Sequence, residues 1–347
     1  MGQQKKFPIP APARRRNHYD VTNRVRISDP TAVRTAVRAI LAGRYPQIDL
    51  APLDDAFDTF TRLYAGLLPG YVGCDTWYHD AQHSLDCTLT MARLLDGYDR
   101  SVAPIHRLGG RRALLGVISA LFHDAGYIRR HSDAASNGAE FTLNHVRRSG
   151  EFLRDYLPRV SFAEEAELAS RMVHFTGYEI ALDRIDVADP HYRKLGFLLG
   201  TADVIAQTAD RCYLEKCRDY LYREFEICGL AGVPRPGHAQ PVYPSVQDLL
   251  YKTPDFNRKL WDERLDGYFG SVYRHLEAHF GGRDPYVESI ELNLARVRAM
   301  IAQRSFKAMR LRPHAVGARE LRRFVAPRPG PRSRPAPRRG LRFAQVG

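Results

Sequence analysis

The chain has 347 residues, of which 44% are apolar and 26% charged, with a formal net charge of +13. That length buries the core of one large domain or two small ones, and the apolar share is that of an ordinary globular protein. No apolar run approaches the ~18–20 residues a helical membrane span needs, and MGQQKKFPIP has neither the apolar core of a secretion signal nor, with Lys6 where Ser or Thr is required, a myristoylation motif.

From the N-terminus, residues 1–26 carry seven Lys or Arg against Asp20 and read as a basic, disordered arm. Residues 27–309 read as helices almost throughout. TAVRTAVRAILAG places apolar residues at three- and four-residue spacing and stops at a glycine. LDDAFDTFTRLYAGLL, DAQHSLDCTLTMARLLDGY, RRALLGVISALFHDAG, AEFTLNHVRRSGEFLRDYL and FAEEAELASRMVHF repeat the pattern, as does the long KLGFLLGTADVIAQTADRCYLEKCRDYLYREFE. AGVPRPGHAQPVYPS, rich in Pro and Gly, forms a long loop, and two further helices fall near 254–280 and 288–308. There is no alternating strand pattern, internal repeat or phosphate-binding glycine loop, so the expected fold class is all-α, a single multi-helix domain. Residues 310–347 carry eleven arginines against Glu320. Their stretch FVAPRPGPRSRPAPRRG cannot bury a core and reads as an extended, solvated tail.

The two ends therefore hold +16 of the formal charge and the domain between them −3. The basic character belongs to the tails, which suit nonspecific contact with RNA, DNA or an anionic surface; a disordered end without a dedicated partner explains them equally. Five cysteines, an odd count without a C-x-x-C pair, point to buried thiols in a reducing compartment and hence to a cytoplasmic protein.

Several polar residues sit where hydrophobic patterning does not explain them. In TWYHDAQHSLD, His79 and His83 are four residues apart, a spacing that puts both on one face of a helix. In ALFHDAGY, His123 and Asp124 end a strongly apolar helix just before Gly126, and Asp203 lies inside the apolar LGFLLGTADVIAQ. Burying an ionised Asp costs several kcal/mol unless a cation or donors compensate. His83, His123, Asp124 and Asp203 together offer two imidazoles and two carboxylates. That mixture suits a divalent metal of borderline hardness, such as Zn, Mn, Fe or Mg with retained waters. Gln207 shares the face of Asp203 and is placed to line a pocket or orient a ligand, while Asp210 and Arg211 read as a helix-surface pair.

The ordered H…HD…D set resembles the HD-domain metal-dependent phosphohydrolases. Within that superfamily YHDAQHSLD, Tyr78 to Asp86, is similar to the Y-H-N-x-x-H-A-x-D signature of class I cyclic-nucleotide phosphodiesterases. TADVIAQ followed by YLYREFEICG is similar to that family's A-D-L-S-N segment and the E-F-x-x-G after it; the resemblance covers roughly 73–230. It implies that His83, His123, Asp124 and Asp203 hold a first metal, with Asp124 bridging to a second ion held largely by water. It makes His79 the general acid that protonates the leaving oxygen and puts Tyr78 beside the pocket. NHVRRSGEFL and MVHFTGY resemble the extra-ligand segments of HD-GYP phosphodiesterases, which makes His145 and His174 candidates for a second metal or for support of the ligands. Three departures stand out. H-D-x-x-H-P becomes HDAGY, so Tyr127 or Gly126 stands near the position of the second histidine. Asp80 replaces the usual asparagine, and the purine-clamping Q-x-x-F is matched only by QRSF, Gln303 and Phe306, which fits a helix surface better.

The function the resemblance implies is hydrolysis of a nucleotide phosphodiester, cyclic or similar, by metal-activated water with His79 as the acid. A nucleotidase or nucleoside-triphosphate hydrolase on the same site is the enzymatic alternative. A non-catalytic helical binding protein, attached to RNA or membranes by its arms, is the other.

Overall fold

The computed structural model describes residues 15–233 and 240–325. Asp29 caps the first helix by accepting from the backbone N–H groups of Thr31 and Ala32, and Pro30 stands at its first position, giving α1 (Pro30–Arg44). α2 (Ala51–Tyr64) follows, then α3 (Ala81–Ser101), whose N-cap Asp80 accepts from His83 N. Next come α4 (Gly109–Phe122), α5 (His145–Tyr156), α6 (Ala166–Met172) and α7 (Pro190–Ala209), the last again capped by an Asp–Pro pair, Asp189–Pro190. α8 (Tyr213–Lys216) runs through a wider π turn, Cys217–Leu221, into α9 (Tyr222–Ile227). α10 (Val246–Lys259), α11 (His275–Phe280), α12 (Pro285–Ala302) and α13 (Ala318–Leu321) complete the chain. The fold is all-α; among the described residues the β-pairing is confined to three isolated bridges. No helix among them is long and apolar enough to cross a membrane.

α3 is the axle, wrapped by α1, α4, α7 and α11. Every residue from Ala81 to Asp99 is buried, including charged ones that an apolar axle would exclude. Apart from Asp86, whose Oδ1 is buried without a partner, the charged groups are paired. Arg93 donates to Asp20 at 2.5 Å and to the Tyr286 hydroxyl at 2.7 Å. Asp99 accepts from the Leu108 and Gly109 N–H groups and from Tyr45 Oη. Asp96 takes Arg44, Arg100 and His279. Gly97 lets α11 approach: a Cβ there would lie 1.8 Å from the carbonyl oxygen of His275.

These partners move both domain edges outward from 27 and 309. Asp20 is buried against Arg93, and Arg15 reaches the carbonyl of Ala209 at 2.5 Å, so residues 15–26 pack onto the helical domain. At the other end the N–H of Val316 donates to Asp80 Oδ2 at 2.6 Å, and Leu321 is buried. Composition treats such charges as solvated; here specific buried groups receive them. The remaining parts of the two expected tails, 1–14 and 326–347, lie outside the described residues.

Three long predicted helices are broken. The 139–157 stretch begins as a tight turn, Gly138–Phe141, before α5. The 194–226 run stops at Asp210, whose ψ of 136° leaves the helix. Asp210 turns inward to pair with Lys216 at 2.7 Å instead of forming a surface pair with Arg211. The expected 254–280 helix starts earlier, at Val246. It widens to a π turn over Leu260–Tyr268 and breaks at Gly270–Ser271, where Ser271 has φ of 57°. Apolar periodicity is blind to these interruptions because the buried face continues across them.

Candidate metal centre and its cavity

Three helices bring the four predicted ligands together. His83 lies in the first turn of α3, where the cap from Asp80 to its N–H, 3.0 Å, fixes the backbone. α4 ends at Phe122. His123 keeps helical angles, but Asp124, at φ −106° and ψ 10°, has left the helix, so two adjacent side chains that would diverge by ~100° on a helix reach one point. Asp203 comes from α7, which packs on both α3 and α4.

The geometry is that of a cage. His83 Nε2 lies 3.2 Å from His123 Nε2, 3.3 Å from Asp124 Oδ2 and 3.1 Å from Asp203 Oδ1. His123 Nε2 lies 3.4 and 3.5 Å from the same two carboxylate oxygens. Nitrogen and oxygen ligands at ~2.0–2.2 Å from one ion stand roughly 3–3.5 Å apart, so the spacing of His83, His123 and Asp203, whose ligand atoms all lie within 4.8 Å of one another, fits a shared cation, while Asp124 stands beside the two imidazoles outside that triad. Two further features agree. The Nδ1 of His123 lies 2.8 Å from the carbonyl of Ala120, which makes Nδ1–H the donor and turns Nε2 towards the cage. Asp124 Oδ2 is buried without a well-aligned hydrogen bond, although both imidazole nitrogens lie within 3.4 Å. A buried carboxylate oxygen in that state costs free energy that a cation would recover.

The electrostatics show how strongly the carboxylates act. Burial disfavours the imidazolium of His83, yet the hydrogen bonds and charges of Asp124 and Asp203 outweigh it and lift its pKa to about 9. His123 moves up for the same reason, again against burial. Burial pushes Asp124 and Asp203 up, but the two histidines more than reverse it and hold both carboxyls below the usual carboxylate range. The two carboxylates and the two imidazoles thus act on one another where little water can screen them.

His79 is not on the face of α3 that its spacing predicts, because α3 starts at Ala81. It stands in the preceding loop with Nδ1 2.6 Å from Glu224 Oε2. Its ring stacks on Tyr127 at 4.4 Å and 15°, and Tyr127 stacks in turn on His145 at 4.3 Å and 22°. Glu224, on α9, is fully buried; its Oε1 accepts from the N–H groups of Trp77 and Tyr78 at 2.7 and 2.6 Å. With Nδ1 committed to this carboxylate, Nε2 is the nitrogen of His79 left for chemistry in the cavity it lines. Sequence reasoning missed Glu224. Its only signal was its place at the E-F of YLYREFEICG, which the resemblance quoted without giving Glu224 a role beside His79.

Compared with protein-family models, curated proteins and solved structures, the chain matches none.

The other predicted residues divide. Tyr78 donates to Gln207 Oε1 at 3.1 Å, and Gln207 Nε2 donates to Asp203 Oδ1 at 3.2 Å, so the pair lines the cavity and orients Asp203. His145 Nε2 lies 3.7 Å from Asp124 Oδ1, the oxygen turned from the cage, and its Nδ1 lies 2.8 Å from the Thr142 carbonyl. Burial pushes its pKa down to about 4, so at neutral pH the ring is uncharged. Gly126 makes this approach possible: a Cβ there would lie 1.9 Å from the His145 carbonyl oxygen. His174 does not join the site. It stands on the turn Val173–Phe175, outside the cavity lining, and helical spacing alone could not tell its face from that of its neighbours. Gln303 and Phe306 are also remote; Gln303 is exposed at the end of α12 and Phe306 packs on Tyr251.

The cage forms one corner of a cavity of about 380 Å³. That volume falls in the range of small-molecule sites, ~300–1,000 Å³. Away from the cage its walls are aromatic and aliphatic, with Phe225 and Tyr243 stacked at 5.5 Å and 9°. The one lysine on the lining, Lys252, donates to the Val242 carbonyl and faces the Tyr243 ring.

Proposed function

We propose that the chain is a metal-dependent phosphohydrolase of the HD type that cleaves a nucleotide phosphodiester. The observation that carries the reading is the meeting of His83, His123, Asp124 and Asp203 at one corner of a cavity sized for a nucleotide. A divalent ion held there supplies Lewis-acid activation of a water and neutralises charge on the phosphoryl oxygens. Asp124 and His145, 3.7 Å apart, are the residues that would hold a second ion. Gln207 holds Asp203 in its orientation, and Tyr78 holds Gln207.

His79 carries the proton. Glu224 fixes hydrogen on Nδ1, and the Tyr127 stack stops the ring from turning, so Nε2 is the nitrogen that would pass a proton to the leaving oxygen of a bound phosphate. A positioned acid of this kind contributes ~10²–10⁴ in rate. A diester with a poorly departing alkoxide needs that proton most, and this favours diesters over substrates with good leaving groups. The apolar walls, with Phe225 stacked on Tyr243, suit a planar base. The buried or half-buried free cysteines fit the reducing cytoplasm, and the basic segments beyond the described residues suit contact with anionic polymers.

The test is a panel of cyclic mononucleotides, dinucleotides, nucleoside monophosphates and triphosphates, with Mn, Mg or Zn added, run on the wild type and Asp124→Ala. Hydrolysis of a diester that disappears in the variant supports the proposal. Preference for monophosphates or triphosphates replaces the substrate class, and no turnover of any member sinks the enzymatic reading.

A further inference from the structure

His79 belongs to the loop 74–80 that leads into α3, and Glu224 holds the middle of that loop through the N–H groups of Trp77 and Tyr78 and Nδ1 of His79. The two ends of the loop are held from elsewhere. The N–H of Val316 donates to Asp80 Oδ2 at 2.6 Å, and the N–H of Ala318 donates to the Cys74 carbonyl at 3.4 Å. Both donors belong to the segment that follows α12 and reaches the start of α13.

Before it reaches the loop, the same segment crosses the turn that leads into α9. Arg218 Nη1 donates to the Met309 carbonyl at 3.0 Å, and Tyr220 Oη donates to the Pro313 carbonyl at 2.9 Å. The N–H of Leu311 donates to Glu215 Oε1 at 3.3 Å. α9, which carries Glu224, follows that turn directly. Residues 309–318 therefore touch both elements of the acid pair, although His79 and Glu224 are 145 positions apart in the chain. Buried Leu321 and a 3.1 Å bond from Arg322 Nε to the Ala65 carbonyl anchor the far end.

Asp80 is the junction. It is fully buried, with Oδ1 accepting from the N–H of His83 and Oδ2 from that of Val316. A carboxylate offers one oxygen to each donor, whereas an asparagine has a single acceptor oxygen and would turn amide hydrogens towards one of them. The aspartate at this position, where the resembled motif has asparagine, thus matches the presence of a second donor.

We infer that residues 309–318 form a strap that sets His79 against Glu224, with Asp80 as the positioning residue through which it acts, a role that rests on the reading of His79 as the acid. The strap fixes the loop from behind while Glu224 fixes it from the side of the cavity. A catalytic group displaced by about 1 Å can lose ~10²-fold in rate, so the 2.6 Å contact between His79 and Glu224 is the distance the strap protects.

Asp80→Ser tests this, because a serine hydroxyl still caps the N–H of His83 but is too short to reach Val316. Asp29→Ser, the same change at the N-cap of α1, is the control. The full-chain variants are compared by kcat on an unactivated diester and on one with a nitrophenolate leaving group, with metal content and Tm measured on the same samples. Asp80→Ser should lower the first by about tenfold to a hundredfold and the second by less than about threefold, with metal retained; Asp29→Ser should leave the ratio unchanged. Independently of turnover, the Nδ1 proton of His79, identified by its loss in Glu224→Gln, should give a downfield NMR signal that persists in Asp29→Ser and disappears in Asp80→Ser. Persistence of that signal in Asp80→Ser, or equal losses on the two esters, overturns the strap. If the signal behaves as expected while the wild type cleaves neither ester, the strap stands and the phosphohydrolase reading fails.

Discussion

Replacing Glu224 by Gln separates the acid from the metal cage. The fold has little to lose: both backbone donors, from Trp77 and Tyr78, fall on Oε1, which the amide oxygen can keep. The change falls on Oε2, 2.6 Å from His79 Nδ1. An amide nitrogen there donates to Nδ1, removes its hydrogen and leaves a neutral imidazole as the only proton source at Nε2. Protonating that ring would set two donors against each other. The loss should approach that of the acid itself, ~10²–10⁴ in turnover, or roughly 3–5 kcal/mol in barrier. The assay is kcat on an unactivated diester against kcat on one with a nitrophenolate leaving group, with metal content and Tm measured on the same samples. The expected pattern is a large loss on the first substrate, a loss of less than about tenfold on the second, and unchanged metal. Equal losses on both substrates, or loss of metal, would refute the assignment of His79.

Three further outcomes follow from other contacts. Gly126→Ala drives a Cβ into the His145 carbonyl, so it should lower Tm and detach α5 from the metal corner, read as a loss of stability together with activity. Asp86 is buried, its Oδ1 lacks a partner, and burial followed by repulsion from Asp210 raises its pKa to about 7. Because the folded form holds its proton above the unfolded value of 3.8, stability should fall as pH rises from about 4 to 7, by at most about 4 kcal/mol. Asp86→Asn should remove that part of the slope; denaturant melts of both proteins across this range check it, and identical slopes would contradict it. His174→Ala should leave the metal stoichiometry unchanged, since His174 lies outside the cavity lining; a lost equivalent of metal would return it to the site.

The helices and the meeting of His83, His123, Asp124 and Asp203 were legible because each rests on a contrast the sequence displays. His123 and Asp124 interrupt an apolar run at its end, and Asp203 interrupts another, so burial without a partner was already the problem to solve. What escaped was set by long-range pairing. Glu224 is 145 residues from His79, and no local pattern announces which buried carboxylate will meet which ring. The domain edges failed for the same reason: Asp20 and Arg15 read as a charged arm until Arg93 and Ala209 are beside them. His145 and His174 carried the same kind of weak signal. Only the close turn at Gly126 brings one of them to Asp124, while the other remains on a turn away from the cavity.

The metal content of the purified protein bears most directly on the cage. Elemental analysis after dialysis against Mn, Zn, Fe or Mg should find at least one equivalent bound to the wild type and none at that site in a folded Asp124→Ala variant. If the wild type, with its helical spectrum intact, holds no more metal than the variant, then His83, His123, Asp124 and Asp203 are a buried ion-pair network and the hydrolase proposal falls.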